Sequence, residues 1–100
     1  MLLGILVATD RNLEQVCGVA TAASGKGHTV AVFATDDGVR LLARQRFSSL
    51  SALPGVTIGY CGQSAEGRGV DRAGLPRAIV AGGQFENAVM ASESDKVIVL

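Results

Sequence analysis

Five short apolar runs punctuate the chain, and the segments between them carry helical spacing or turn residues. This alternation limits the fold more than any other feature. Leu2 to Ala8 is continuously apolar, as expected of a parallel strand covered on both faces. Leu13, Val16, Cys17, Ala20, Ala23 and Ser24 then recur on one helical face, and Gly25-Lys26-Gly27 stops that helix. His28 to Ala34 reads as the second strand. Thr35-Asp36-Asp37-Gly38 makes a turn into a second helix, with Val39, Leu41, Leu42 and Ala43 on one face and Arg40, Arg44 and Arg46 on the other. A serine-rich connection covers Phe47 to Leu53. Val56 to Tyr60, preceded by Pro54-Gly55, is the third strand and delivers Cys61 at its carboxyl end. A helical segment from Gly62 to Val70, a loop over residues 71–77, a short strand from Ala78 to Ala81, a helix from about Gln84 to Ser92 and a last strand from Lys96 to Leu100 complete the pattern.

Alternation of this kind predicts a parallel sheet with helices on both faces. Right-handed crossovers place every strand's carboxyl end on one edge. The expected fold is a flavodoxin-like open parallel five-stranded sheet, in the order 2-1-3-4-5, forming a single domain over residues 1–100.

Composition narrows the partners. Nine basic and nine acidic residues leave no net charge, so no basic stripe marks a nucleic-acid surface. No apolar run reaches the ~18 residues of a membrane span. The start runs directly from its apolar segment into Thr9-Asp10 without a basic n-region, and reads as a strand, not a leader. Two cysteines do not make a disulfide scaffold, and both are expected to stay thiols in a cytoplasmic protein. Hydrophobic residues make up 48% and charged residues 18%, against about 25% charged in ordinary chains. That excess of apolar surface predicts an oligomer, with residues of the second or third helical segment in the interface.

One reactive atom stands out. In open α/β sheets ligands gather outside the carboxyl ends of the strands, and Cys61 falls there. A helix starting at Gly62 would aim the backbone N–H groups of Gly62, Gln63 and Ser64 at the sulfur and favour its thiolate. Arg68, between two glycines, is placed to return a positive charge toward it. The competing reading of Cys61 is a small buried hydrophobe, and that of Arg68 a solvated side chain. Cys17, mid-helix among Leu13, Val16 and Ala20, reads as structural.

Asp10, Asp36 and Asp37 follow the first two strands and are edge residues. Helix capping accounts for them better than a magnesium site, because the third-strand position such a site would need holds Cys61. No cysteine–histidine cluster has zinc spacing, and no cofactor or metal is implied. Gly82-Gly83 lacks the context of a dinucleotide or P-loop motif and reads as a tight turn.

Several stretches resemble the DsrE/DsrF-like family. They are Gly27-His28 before a strand, Thr35-Asp36-Asp37-Gly38-Val39, the segment Gly55 to Gly69 with its strand-Cys61-x6-Arg68-Gly69 pattern, and the ending from Gly82 to Leu100. The resemblance implies a sulfur-relay protein whose Cys61 takes sulfur as a persulfide from a donor protein and passes it to an acceptor protein. It also implies a homotrimer or homohexamer, or a hetero-oligomer with related subunits. Two other readings stay open: a module that binds a nucleotide or other phosphate at the same edge, and a structural subunit with an inert Cys61.

Overall fold

The protein, a computed structural model, is described over residues 1–100. Five strands alternate with helical segments: β1 (Leu2–Val7), α1 (Leu13–Gly25), β2 (Thr29–Ala34), β3 (Val56–Cys61), α3 (Gly62–Gly67), β4 (Ile79–Gly82), α4 (Gln84–Glu93) and β5 (Lys96–Val99). Between β2 and β3 the expected single helix is replaced by a 3-10 turn at Asp36–Ala43, one α-turn, α2 (Gln45–Ser48), and a second 3-10 turn at Ser49–Ala52. Phe47 and Leu50, expected in a serine-rich connection with room for a helical turn, are buried members of this helical run.

All strand pairs are parallel, and helices lie on both faces of the open sheet, as the flavodoxin-like expectation requires. The strand order departs from it: β4-β3-β2-β1-β5 instead of 2-1-3-4-5. The chain steps from β1 through β4 in one direction. It reverses once, when α4 carries it back across the other face to place β5 beside β1. Right-handedness explains the layering, because three crossovers in one direction put their helical segments on one face and the returning crossover on the opposite one.

The two faces are unequally covered. Leu3, Ile5 and Val7 of β1, Val30 and Val32 of β2, and Val56, Ile58 and Tyr60 of β3 alternate onto the α1 face. There they meet Leu13, Val16 and Ala20 of α1 with Val39, Leu41, Leu42, Phe47 and Leu50 in one hydrophobic cluster. The apolar residues of the second helical segment are thus core residues. The molecule's own sheet covers them, so Val39, Leu41 and Leu42 present little surface to another subunit. The opposite face carries only α4, which has no buried residue. Gly4 admits α4 closely: a Cβ there would lie 2.6 Å from Met90 Sδ and Ser94 Oγ. Beside α4, over β3 and β4, a groove of about 310 Å³ is lined by Phe33, Thr57, Gly59, Val80, Glu86 and Met90, among others.

Candidate functional site

Cys61 ends β3 and is the N-cap of α3, with φ −76° and ψ 112°. The strand places it at the carboxyl rim, and the turn into the helix aims free N–H groups at its side chain. The N–H of Ser64 donates to Cys61 Sγ at 3.4 Å. Burial pushes the thiol up. The Ser64 hydroxyl, the N–H groups of Ser64 and Gln63, and the Thr35 hydroxyl outweigh it and hold the thiol below its ordinary value. The groups that favour the anion belong to Ser64, Gln63 and Thr35.

Thr35 enters the site because of the strand order. Ala34 pairs with Tyr60, so the next residues, Thr35 and Cys61, leave the sheet side by side. In the expected order β1 would separate these strands. The same change removes Asp10: β2 lies between β1 and β3, and Asp10 is exposed on the far side. Nothing short of the true order would have exchanged these two residues.

The site is more closed than a freely reachable thiol requires. Cys61 is 5% exposed and Thr35 7% exposed. Cys61 lies outside the hydrophobic cluster, although Tyr60 before it and Ala65 of α3 belong to it. Gln84, the first residue of α4, extends its amide Nε2 to Thr35 Oγ1 at 3.5 Å. Glu86 reaches back to accept from the Gly83 N–H at 2.8 Å, which fixes the start of α4.

Arg68 does not face the sulfur. Its Nε donates to Asp37 Oδ1 at 2.8 Å, and its Nη1 to the Ser64 carbonyl at 3.4 Å. From the end of α3 its side chain reaches the neighbouring 3-10 turn, and a carboxylate there competes better for a guanidinium than a buried thiol. The hydrogen bond from Arg68 and its charge, with Arg40 at 3.6 Å, hold Asp37 below the usual carboxylate range. Asp36 and Asp37 are not helix caps: Thr35 holds the N-cap position and both aspartates lie in the first turn. Asp36 instead adopts φ +49°, a left-handed conformation that Asp tolerates better than most residues. Its N–H donates to Ser64 Oγ at 3.1 Å. The strained turn and the α3 N-terminus are thereby tied together around the cysteine. No three residues among His, Cys, Asp and Glu converge as a metal-binding group.

Arg72 falls in the loop over residues 71–77. Its Nη1 would lie 3.7 Å from a Cβ on Gly62, the residue after Cys61. Cys17 is a contrast: 7% exposed in α1, its Sγ donates to the Arg46 carbonyl at 3.7 Å, and burial pushes its thiol up.

The DsrE/DsrF-like family model matches residues 1–100, the whole chain. The YchN protein from E. coli has a similar structure, with a TM-score of 0.72 and 18% identity over 100% of both chains. So does MTH1491 from Methanobacterium thermoautotrophicum, a protein of unknown function, with a TM-score of 0.72 and 17% identity over 99% of this chain and 98% of that one. At these identities the likeness is one of fold. Among curated protein sequences none matches the chain.

Proposed function

The chain belongs to the DsrE/DsrF-like family, and from that premise we propose that it is a sulfur carrier holding sulfane sulfur on Cys61. One observation supports this most directly: the cysteine at the carboxyl rim caps a helix, and its thiol is held below the ordinary value despite burial. Exchange through a persulfide needs an ionised sulfur and little other machinery.

The reaction balances without an oxidant. The Cys61 thiolate attacks the outer sulfur of a donor persulfide, R–S–SH. The donor's S–S bond breaks, and RS⁻ leaves with the electron pair. Cys61–S–SH remains. An acceptor thiolate then attacks the outer sulfur, and Cys61 departs as thiolate, stabilised by the same N–H and hydroxyl groups that favoured it at the start. Because Cys61 is 5% exposed, the groups that cover it must move aside for either partner.

The partners in this proposal are donor and acceptor proteins. The protein acts in the cytoplasm as a homotrimer or homohexamer. Two facts support these proposals: no helix is long and apolar enough to cross a membrane, and the α4 side exposes a set of large apolar residues. The burial of Cys61 favours one rival, a structural subunit with a packed thiol.

Mass spectrometry after incubation with a persulfide donor tests the carrier. The wild-type chain and Cys17→Ser gain one sulfur; Cys61→Ser gains none. A gain that survives Cys61→Ser and vanishes in Cys17→Ser ends the assignment. A native Cys61 that iodoacetamide modifies only after denaturation establishes the structural subunit instead.

A further inference from the structure

We propose that Arg72 sets the charge preference of the Cys61 site, so that the sulfur donor carries a negative group beside the transferred sulfur. This rests on the carrier reading and names the donor's chemical class.

The geometry supplies a cation where Arg68 was expected to supply one. A Cβ on Gly62 would meet Arg72 Nη1 at 3.7 Å, and Ala81 Cβ and the Gly82 carbonyl at 3.8 Å. The guanidinium therefore lies over the first residue after the cysteine, on the side of β4. Gly62, Gly82 and Gly83 are half-buried there; the Glu86 side chain packs over Gly82, and its carboxylate is held by the Gly83 N–H at 2.8 Å, outside ion-pair distance of Arg72.

This cation is uncommitted. The ion pairs of the molecule engage Arg40, Arg46 and Arg68. Asp71, next to Arg72 in the chain, turns its carboxylate onto the Ala73 N–H at 3.0 Å. Arg68 itself is neutralised by Asp37. Arg72 thus remains the free guanidinium beside the cysteine's helix, with planar donors that suit a carboxylate. A carboxylate held there orients the donor's S–S bond. Both a small carboxylate-bearing persulfide and a protein cysteine persulfide flanked by acidic residues have this chemistry.

Alkylation by two reagents of similar shape reads the charge preference directly. Iodoacetate is anionic and iodoacetamide neutral, and modification of Cys61 is followed by peptide mass mapping in the full chain. The ratio of the two rates cancels any change in thiolate fraction. Arg72→Ala lowers the iodoacetate-to-iodoacetamide ratio about tenfold at low ionic strength, as expected for losing one nearby charge. Added salt shrinks the effect. Arg72→Lys keeps most of the ratio, and Arg77→Ala, in the same loop, leaves it unchanged.

A ratio unmoved by Arg72→Ala overturns the inference while the carrier reading stands. If neither reagent reaches native Cys61, both fall. Persulfides of glutathione and of a cysteine peptide flanked by aspartates, each against a neutral peptide persulfide, then identify the source. Faster transfer from the first marks a small-molecule donor, and faster transfer from the second alone marks an acidic protein segment. Transfer no faster than from the neutral persulfide overturns the inference.

Discussion

Two thiols in one small domain sit in opposite electrostatic settings. Cys61 accepts the Ser64 N–H at 3.4 Å and is held below its ordinary value, whereas burial pushes Cys17 up. Iodoacetamide should therefore modify native Cys61 first as pH rises, with a midpoint below that of the unfolded chain. Ser64→Ala and Thr35→Val each raise that midpoint, because each removes a hydroxyl that favours the anion. The linkage has a definite sign. A folded-state value below the unfolded one stabilises the fold fully only above the unfolded value. That contribution is lost as pH falls through the folded value. Urea midpoints measured across the alkaline range, for the wild type against Cys61→Ser, check it. The N–H groups around Cys61 were legible in the sequence, because a strand ending on a cysteine before a glycine dictates them locally. Thr35, Gln84 and Arg72 were not, because each reaches the site across a gap that only packing closes.

At the scale of elements, the 3-10 turn after β2 is held against the end of β1. Thr35 donates its N–H to the Val7 carbonyl at 2.9 Å. Gly38 follows, where a Cβ would lie 2.0 Å from Val7 O and 2.7 Å from Val7 C. Backbone atoms cannot give way as a side chain end does. Gly38→Ala should cost about 2 kcal/mol or more, seen as a lower urea midpoint with unchanged slope. Gly62→Ala is the contrast: its Cβ finds only ordinary contacts at 3.7–3.8 Å, so stability stays within about 0.5 kcal/mol of wild type. The sequence marked Thr35-Asp36-Asp37-Gly38 as a turn from its residue types. It could not show that the glycine is required by the neighbouring strand's carbonyl, since that contact joins residues 31 positions apart.

For the whole molecule, the unequal sheet faces carry the assembly prediction. Val80 is 61% exposed, Phe85 77% and Val99 63%, all around α4. This side is the surface proposed to bind further copies. Light scattering at micromolar concentration should give a trimer or hexamer for the wild-type chain, and a smaller species for Val80→Asp combined with Phe85→Asp. A wild-type monomer contradicts the proposal. A complex that forms only with related subunits replaces the homo-oligomer by a hetero-oligomer.

Apolar runs and turn residues act over a few positions, so the chain alone determined its five parallel strands, their helical connections, and Cys61 at the carboxyl rim. The strand order was decided in three dimensions, because the local pattern is the same whichever side of β1 the next strand joins. With the order came the site's membership: Thr35 beside Cys61 and Asp10 removed. Side-chain reach then settled the charges, tying Arg68 to Asp37 and leaving Arg72 over Gly62.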